Sequence, residues 1–143
     1  MDEQIHREVC IASSPQALQE CYGVLAQRNA LDPKTYEAAI EQMRRHGFHV
    51  AYVRSMHQVV VCAATYLVLP LLGSKQLQVH DFATDLHHRG HGYGKTLMDW
   101  LIAKAEAERC SEVVVHTSCE AQAQRQQAFL LCKGFVIDGF RFT

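Results

Sequence analysis

A glycine-rich segment in the second half of the chain has the residue types and spacing to bind an anion. It reads HRGHGYGKT and has Gly90, Gly92 and Gly94 at alternate positions, after a predicted strand and before a predicted helix. Glycine adopts backbone conformations that are closed to other residues, so successive N–H groups can turn toward one point. The first turn of the helix adds further N–H groups and the positive end of its dipole. With Arg89 and Lys95 as counter-charges, the segment predicts a pyrophosphate site.

Two common phosphate-binding motifs do not fit this segment. The dinucleotide fingerprint requires G-x-G-x-x-G, whereas the three glycines here follow G-x-G-x-G. The nucleoside-triphosphate loop requires a glycine five residues before the Gly94-Lys95-Thr96 ending, and Arg89 occupies that position. The alternative to a ligand site is a tight turn that simply needs small residues.

No metal site is expected from the histidines and cysteines. His87, His88 and His91 crowd the glycine-rich segment, but no carboxylate or cysteine lies at ligand spacing from them. The cysteines form no C-x-x-C pair and are predicted to be buried, reduced side chains. They are Cys10, Cys21, Cys62, Cys110, Cys119 and Cys132.

The elements that must position the glycine-rich segment can be predicted from caps and hydrophobic period. Ser14-Pro15 and Asp32-Pro33 each place a capping residue before a proline, which is typical of a helix start. The predicted order is β-α-α-β-β-β-α-β-α-β, in one domain over residues 1–143. The predicted bounds are 5–12, 15–27, 33–46, 48–54, 59–69, 76–84, a helix from the loop 86–94 to about 109, 111–117, 120–133 and 135–142.

The strand over residues 76–84 leads directly into the glycine-rich segment. Because alternate strand residues share a face, its side chains divide into two sets. One face is predicted to carry Leu77, Val79, Asp81 and Ala83, and the other Gln78, His80, Phe82 and Thr84. His80 and Phe82 are therefore expected on the same face, and Asp81 on the opposite face unless a bulge intervenes. A loop is predicted around residues 70–74, before this strand.

Composition excludes several classes of protein. The 143 residues carry 14 Lys+Arg against 15 Asp+Glu, and 48% of them are hydrophobic. A net charge of −1 argues against a nucleic-acid-coating role, which needs a concentrated basic face. The mostly apolar run from Val59 to Leu72 contains Thr65 and Pro70 and is too short to span a bilayer. The polar N-terminal residues do not resemble a secretory signal, so a cytoplasmic protein is expected.

The spacing Arg89-x-x-Gly92-x-Gly94 resembles the acetyl-CoA loop of the GNAT superfamily of N-acetyltransferases. The resemblance extends over most of the chain, from the two early helices to the Gly134-Phe135 pair that follows the last helix. It implies a single-domain mixed α/β (α+β) fold with a mostly antiparallel sheet whose central strands splay apart. It also implies acetyl-CoA as cosubstrate, without a metal.

In that family the fourth and fifth strands separate, and the pantetheine arm of the coenzyme lies between them. The resemblance assigns the arm to the backbone of Phe82, Ala83 and Thr84, with the Phe82 N–H directed at the thioester oxygen. It assigns the diphosphate to the backbone of the glycine-rich loop. That loop comprises Arg89, Gly90, His91, Gly92, Tyr93, Gly94 and Lys95.

An amine must lose its proton before it attacks a thioester, so a general base contributes to such a reaction. His80 is the leading candidate, because it lies two residues before Phe82, where some family members carry a histidine base. Gln78 occupies the position of a glutamate base in other members and cannot accept a proton. His116, near the end of the next predicted strand, is a second-rank candidate. The alternative for His80 is a half-buried strand histidine with a satisfied ring.

The resemblance also predicts a general acid, and here the sequence departs from the family. Many members have a tyrosine four residues before the Gly-Phe pair, whereas this chain has Leu130. Cys119 and Cys132 are candidate substitutes. A thiol of ordinary pKa leaves as thiolate at a cost of only about 2 kcal/mol at pH 7, so the reaction does not depend on an acid. A non-catalytic acyl-CoA binder would show the same departure.

The predicted function is transfer of acetyl from acetyl-CoA to a primary amine by direct attack. The alternatives are a non-catalytic acyl-CoA-binding regulatory module and a nucleoside-triphosphate binder. The acceptor is a small-molecule or peptide amine whose identity the sequence leaves open, and neither nucleic acid nor membrane is expected as a partner. The residues suggested to line the acceptor site are Tyr22, Arg28, Tyr36 and Glu37. Proteins with related folds often dimerise by pairing the edge strands of two copies, so the alternatives for this chain include a homodimer.

Overall fold

The computed structural model describes residues 8–116, 130, 134 and 135. The described elements follow the predicted order as far as β5. The predicted helix 120–133 and strand 135–142 lie almost wholly outside the described residues. The elements are β1 (Val9–Ile11), α1 (Pro15–Asn29), α2 (Pro33–Arg45), β2 (His49–Arg54), β3 (Val60–Leu71), β4 (Ser74–Thr84), a 3-10 turn (Leu86–His88), α3 (Tyr93–Ala107) and β5 (Glu112–Val115).

Both predicted helix caps are present. The Ser14 Oγ accepts a hydrogen bond from the Ala17 N–H at 3.1 Å, and Asp32 Oδ1 accepts one from the Thr35 N–H at 2.8 Å. Each cap satisfies a backbone donor that the first helical turn leaves unpaired, and the proline that follows fixes the first helical residue. None of the described helices is long and apolar enough to cross a membrane.

The five described strands form one sheet in the order β1-β2-β3-β4-β5. All neighbouring pairs are antiparallel except β4 and β5, which run parallel from Gln76↔Glu112 to Val79↔Val115. The His116 N–H donates to the Val79 carbonyl at 2.9 Å and extends this pairing by one hydrogen bond beyond β5. β4 continues to Thr84, so its last residues extend beyond the described pairing with β5, and we call the end of this pairing the fork.

A β-bulge lies in β4 directly after the last described pair with β5. Thr65 pairs with Asp81 and the next residue, Tyr66, pairs with Val79, so His80 is an extra residue in β4. An extra residue reverses the alternation of the side chains beyond it. The predicted division of faces is therefore wrong after residue 80.

The two hydrophobic clusters show which face each side chain joins. Phe82 packs in the same cluster as Leu77 and Val79, against α3, whereas Ala83 packs against the cluster under α1 and α2. Asp81 lines a cavity on the α1–α2 side. The His80 ring contacts Gln78, which alternates with Leu77 and Val79 and so lies on the opposite face of β4. Phe82 lies with Leu77 and Val79, so the prediction that His80 and Phe82 share a face is also wrong.

The predicted loop at residues 70–74 is mostly strand. Pro70 pairs with Lys75 and Leu71 with Ser74, so only Leu72 and Gly73 form the turn. β2 pairs with β3 no further than Tyr66, so among the described strands the outer part of β3 is an edge. An edge tolerates proline because the missing N–H deprives no neighbouring strand of a hydrogen bond.

Candidate active site

Two histidine rings stack at the fork between β4 and β5. The ring centroids of His80 and His116 lie 4.2 Å apart, with an angle of 17° between the ring planes. His80 comes to the fork as the bulged residue of β4, and His116 because it directly follows the last residue of β5. The structure therefore brings together the first- and second-rank base candidates, which are 36 residues apart in the sequence.

A chain of side-chain amides connects the His80 ring to a carboxylate. Gln76 Nε2 donates to Glu112 Oε1, and Gln78 Nε2 donates to Gln76 Oε1 at 2.9 Å. The Gln78 Oε1 is then the acceptor that faces His80 Nε2, at 3.0 Å. A carbonyl oxygen can only accept, so this contact requires the proton of neutral His80 to be on Nε2. The lone pair of the ring is then on Nδ1.

Burial keeps His80 in its neutral form. It lowers the pKa of His80 below the ordinary value of 6.5, and a positive charge on His116 would lower it further. The Asp81 carboxylate opposes this shift, but the pKa still falls. Phe48 packs edge-on against the same ring at a centroid distance of 5.2 Å. At pH 7 the imidazole is therefore mostly unprotonated and able to accept a proton.

The glycine-rich loop has the backbone that its sequence predicts. Gly90 and Gly92 have φ of 83° and 84°, in the left-handed region that favours glycine. Gly92 is the N-cap of α3, and no described side chain caps that helix end. The exposed residues Arg89, Gly90, His91 and Gly92 lead into this helix start, whose first-turn N–H groups can accept an anion.

Close packing joins the start of α3 to the end of β4. A Cβ atom at Gly94 would lie 3.5 Å from Thr84 Oγ1 and 3.6 Å from the Phe82 ring. The Tyr93 side chain is buried in the α3 cluster, and its ring centroid lies 6.4 Å from those of His88 and His91 in the loop. Lys95 is exposed and pairs with Asp99 at 2.9 Å. The backbone at residues 82–84 and the glycine loop are thus held side by side.

Asp85 fixes the turn between β4 and the glycine loop, a role that the sequence did not reveal. Its carboxylate accepts hydrogen bonds from Gln27 Nε2 at 2.6 Å and from the His87 N–H at 3.1 Å, and pairs with His88 Nδ1 at 2.7 Å. Burial alone would raise the pKa of Asp85, but the Gln27, His88 and His87 hydrogen bonds together lower it. Gln27 also accepts from the Leu86 N–H at 3.2 Å, which ties the end of α1 to this turn.

Leu130, in the position of the family tyrosine, is a core residue. Only 6% of it is exposed, and it packs in the cluster beneath α3. Cys119 and Cys132, the candidate substitutes, lie outside the described residues. Among the described residues, no group of three His, Cys, Asp or Glu side chains has the arrangement of a metal site.

Comparison with known proteins agrees with this geometry. The family model described as "Acetyltransferase (GNAT) family" matches residues 16–135. The chain therefore belongs to the GNAT acetyltransferase family, whose members transfer acyl groups and generally use acetyl-CoA. No curated protein matches the sequence.

Solved structures with the same fold cover nearly the whole chain. An acetyltransferase of Trypanosoma brucei has a TM-score of 0.76 at 20% identity, covering 95% of this chain and 96% of its own. A transcriptional regulator from Bacillus halodurans C-125 has a TM-score of 0.79 at 18% identity, covering 96% and 99%. An aminoglycoside acetyltransferase from an uncultured soil sample has a TM-score of 0.77 at 17% identity, covering 95% of each chain. These structural similarities establish the fold of the chain.

Proposed function

We propose that this protein transfers the acetyl group of acetyl-CoA to a primary amine by direct attack within a ternary complex. The observation that carries the proposal is the neutral His80 ring at the fork of β4 and β5, beside the strand that leads into the glycine loop. A base, an oxyanion donor and a pyrophosphate site then lie along one continuous stretch of chain, residues 80–95.

The cofactor residues are those of β4 and the glycine loop. The uncapped start of α3 and the two left-handed glycines fit a diphosphate, which supports acetyl-CoA as the cosubstrate. The backbone of Phe82, Ala83 and Thr84 would line the pantetheine arm in the gap beyond the last β4–β5 pair. When bound, acetyl-CoA supplies an activated acyl group.

His80 would act as the general base. At neutral pH an alkylammonium of pKa near 10.4 costs roughly 4–5 kcal/mol to deprotonate, so a base has a substantial barrier to reduce. Nδ1 is the atom with the lone pair, because the Gln78 contact leaves the proton on Nε2. The Phe82 N–H would stabilise the negative charge that develops on the thioester oxygen. His116 would then shape the pKa of the base rather than replace it.

The leaving thiolate needs no acid from position 130. Leu130 has no proton to donate, and an ordinary thiol leaves as thiolate at a cost of only about 2 kcal/mol at pH 7. The same residue favours the second candidate function, an acyl-CoA-binding module that regulates without turnover. A transcriptional regulator shares this fold, although at 18% identity.

Two measurements separate these functions. Calorimetry with acetyl-CoA should show saturable binding at sub-millimolar concentration, and acetyl-CoA-dependent thiol release should require an amine. His80→Ala should lower kcat by about 10²-fold or more while acetyl-CoA affinity stays unchanged. His57→Ala is the matched control, because His57 is exposed in the β2–β3 turn. Binding without thiol release across a broad amine panel would favour the regulatory module, and absence of binding would reject both.

A further inference from the structure

The Gln27 side chain joins the last turn of α1 to the turn that precedes the glycine loop. Its Nε2 donates to Asp85 Oδ1 at 2.6 Å, and its Oε1 accepts from the Leu86 N–H at 3.2 Å. One amide group thus serves as donor and as acceptor for two consecutive residues. Neither a carboxylate nor an apolar side chain can do both, because the first has no donor at neutral pH and the second has neither group.

The turn that Gln27 contacts is held mainly by hydrogen bonds. None of its three residues, Leu86–His88, is buried, so side-chain packing does little to fix its position. The Asp85 N–H donates to the Val61 carbonyl at 2.7 Å, and the Asp85 carboxylate caps the turn. Arg89, the first residue of the glycine loop, follows the turn directly. A shift of the turn would therefore shift the loop.

Helix α1, in contrast, is fixed by packing. Val24 and Leu25 are 2% and 4% exposed and belong to the hydrophobic cluster under α1 and α2. At the end of the helix the Ala30 N–H donates to the Ala26 carbonyl at 2.8 Å. Gln27 lies between these buried residues and the helix end. It therefore links a firmly packed helix to a turn whose own residues are not buried.

We propose that Gln27 is a positioning residue for the coenzyme, and that it holds the turn in the conformation in which the glycine loop binds the diphosphate. The inference rests on the proposed function. The hydrogen bonds of the Gln27 side chain end on Asp85 and Leu86, so it acts on the loop through the turn. Coupling of this kind is reciprocal. If the contacts favour coenzyme binding, the bound coenzyme stabilises the contacts, and with them the end of α1.

The first test measures acetyl-CoA affinity by calorimetry in Gln27→Met, which keeps the length of the side chain and loses both hydrogen bonds. The dissociation constant should rise about fivefold or more. In turnover assays the KM for acetyl-CoA should rise as well, with kcat at saturating substrates within about twofold of wild type. Gln19→Met should change neither, because Gln19 is exposed about two turns earlier in α1. An affinity of Gln27→Met within about twofold of wild type would overturn the proposal.

A double-mutant cycle tests whether Gln27 acts through Asp85. Asp85→Ala removes the cap of the turn together with the acceptor of the Gln27 amide, so it should weaken acetyl-CoA binding by itself. If the two side chains act as a unit, Gln27→Met should weaken binding by a smaller factor in Asp85→Ala than in the wild-type protein. Equal factors in the two backgrounds would show that Gln27 acts independently of Asp85, against the positioning role.

Hydrogen exchange tests the reciprocal effect. Saturating acetyl-CoA should slow exchange of the Leu86 and Ala30 amides in the wild-type protein, because it stabilises the turn and, through Gln27, the end of α1. In Gln27→Met the coenzyme should still slow exchange at Thr96, whose N–H donates to Gly92 in the first turn of α3, but no longer at Ala30. Slowing at Ala30 that persists in this variant would show that the coupling does not pass through the Gln27 side chain.

The outcomes also separate this inference from the proposed function. If acetyl-CoA affinity depends on Gln27 but no amine is acetylated, the positioning role stands and the enzymatic function fails. If the wild-type protein and Gln27→Met bind acetyl-CoA equally well and acetylate an amine with the same KM for acetyl-CoA, the enzymatic function stands and the positioning role is rejected. Absence of acetyl-CoA binding in the wild-type protein would reject both.

Discussion

His80 and His116 lie face to face at the fork of β4 and β5, with their ring centroids 4.2 Å apart. Burial disfavours a positive charge on His80, and a positive charge on His116 would disfavour it further, so the pKa of His80 is lowered. Of the groups around His80, Asp81 has the opposite influence, whereas Gln78 and Phe48 carry no charge. The stacked pair therefore keeps a neutral imidazole at neutral pH.

The first prediction concerns the pH dependence of activity. Because the base must be neutral, kcat/KM should rise with pH, with a midpoint below 6.5, and level off above it. His116→Gln removes a like charge, so the midpoint should move upward. Asp81→Asn removes an attractive charge, so the midpoint should move downward when the amine is saturating. The measurement is the pH–rate profile of each variant, with His57→Gln as an exposed control. If the midpoints of His116→Gln and Asp81→Asn moved in the same direction, or if neither moved, the assignment of His80 as the base would be contradicted.

The second prediction concerns the amide chain from Glu112 to His80. In the wild-type protein the neutral His80 ring should carry its proton on Nε2, because Gln78 Oε1 is the acceptor it faces. Nitrogen-15 NMR of the histidine rings measures this tautomer directly. Gln78→Leu should allow the other tautomer and lower kcat by roughly tenfold, while the KM for acetyl-CoA stays constant.

A charged side chain at position 78 gives the variant to compare with Gln78→Leu. Gln78→Glu keeps an acceptor for Nε2 and adds a negative charge, so the pKa of His80 should rise and the pH–rate midpoint should move with it. An unchanged tautomer in Gln78→Leu would show that the amide chain does not orient the ring.

The third prediction concerns the backbone of the glycine loop. Gly92→Ala places a side chain at φ 84°, so it should distort the start of α3 and weaken acetyl-CoA binding by about tenfold. Gly47→Ala is the control, because Gly47 has φ 96° but lies before β2, away from the loop. Both variants should lose about 1 kcal/mol of unfolding free energy, and only Gly92→Ala should lose affinity in calorimetry. Equal affinity losses would show that the effect is general strain.

The fourth prediction concerns Leu130. As a buried side chain in the α3 cluster, it should contribute through packing, so Leu130→Ala should cost about 2–5 kcal/mol of unfolding free energy. Leu72→Ala, at the fully exposed β3–β4 turn, should change stability by less than about 0.5 kcal/mol. Urea denaturation measures both. A stability loss for Leu130→Ala below about 1 kcal/mol would show that the residue is not packed as described.

Most of the fold up to β5 could be predicted from the sequence, because the signals are local. Ser14 and Asp32 cap the helices that follow them, and the glycine spacing predicted both the loop backbone and the family. The predicted alternation of side chains in β4 is wrong after His80, because an alternating sequence pattern does not show where a bulge inserts an extra residue. The Gln27–Asp85 contact joins residues 58 apart, and no local pattern encodes such a pairing.

The same inserted residue is one that β4 could lose without turning over. Removing His80 would leave Val79 opposite Tyr66 and Asp81 opposite Thr65, so the strand would become regular while Asp81 and Phe82 kept their present faces. The loss would be confined to the imidazole and its contacts with Gln78 and His116. The bulge therefore serves to place one extra side chain beside β5, and the packing of β4 does not depend on it.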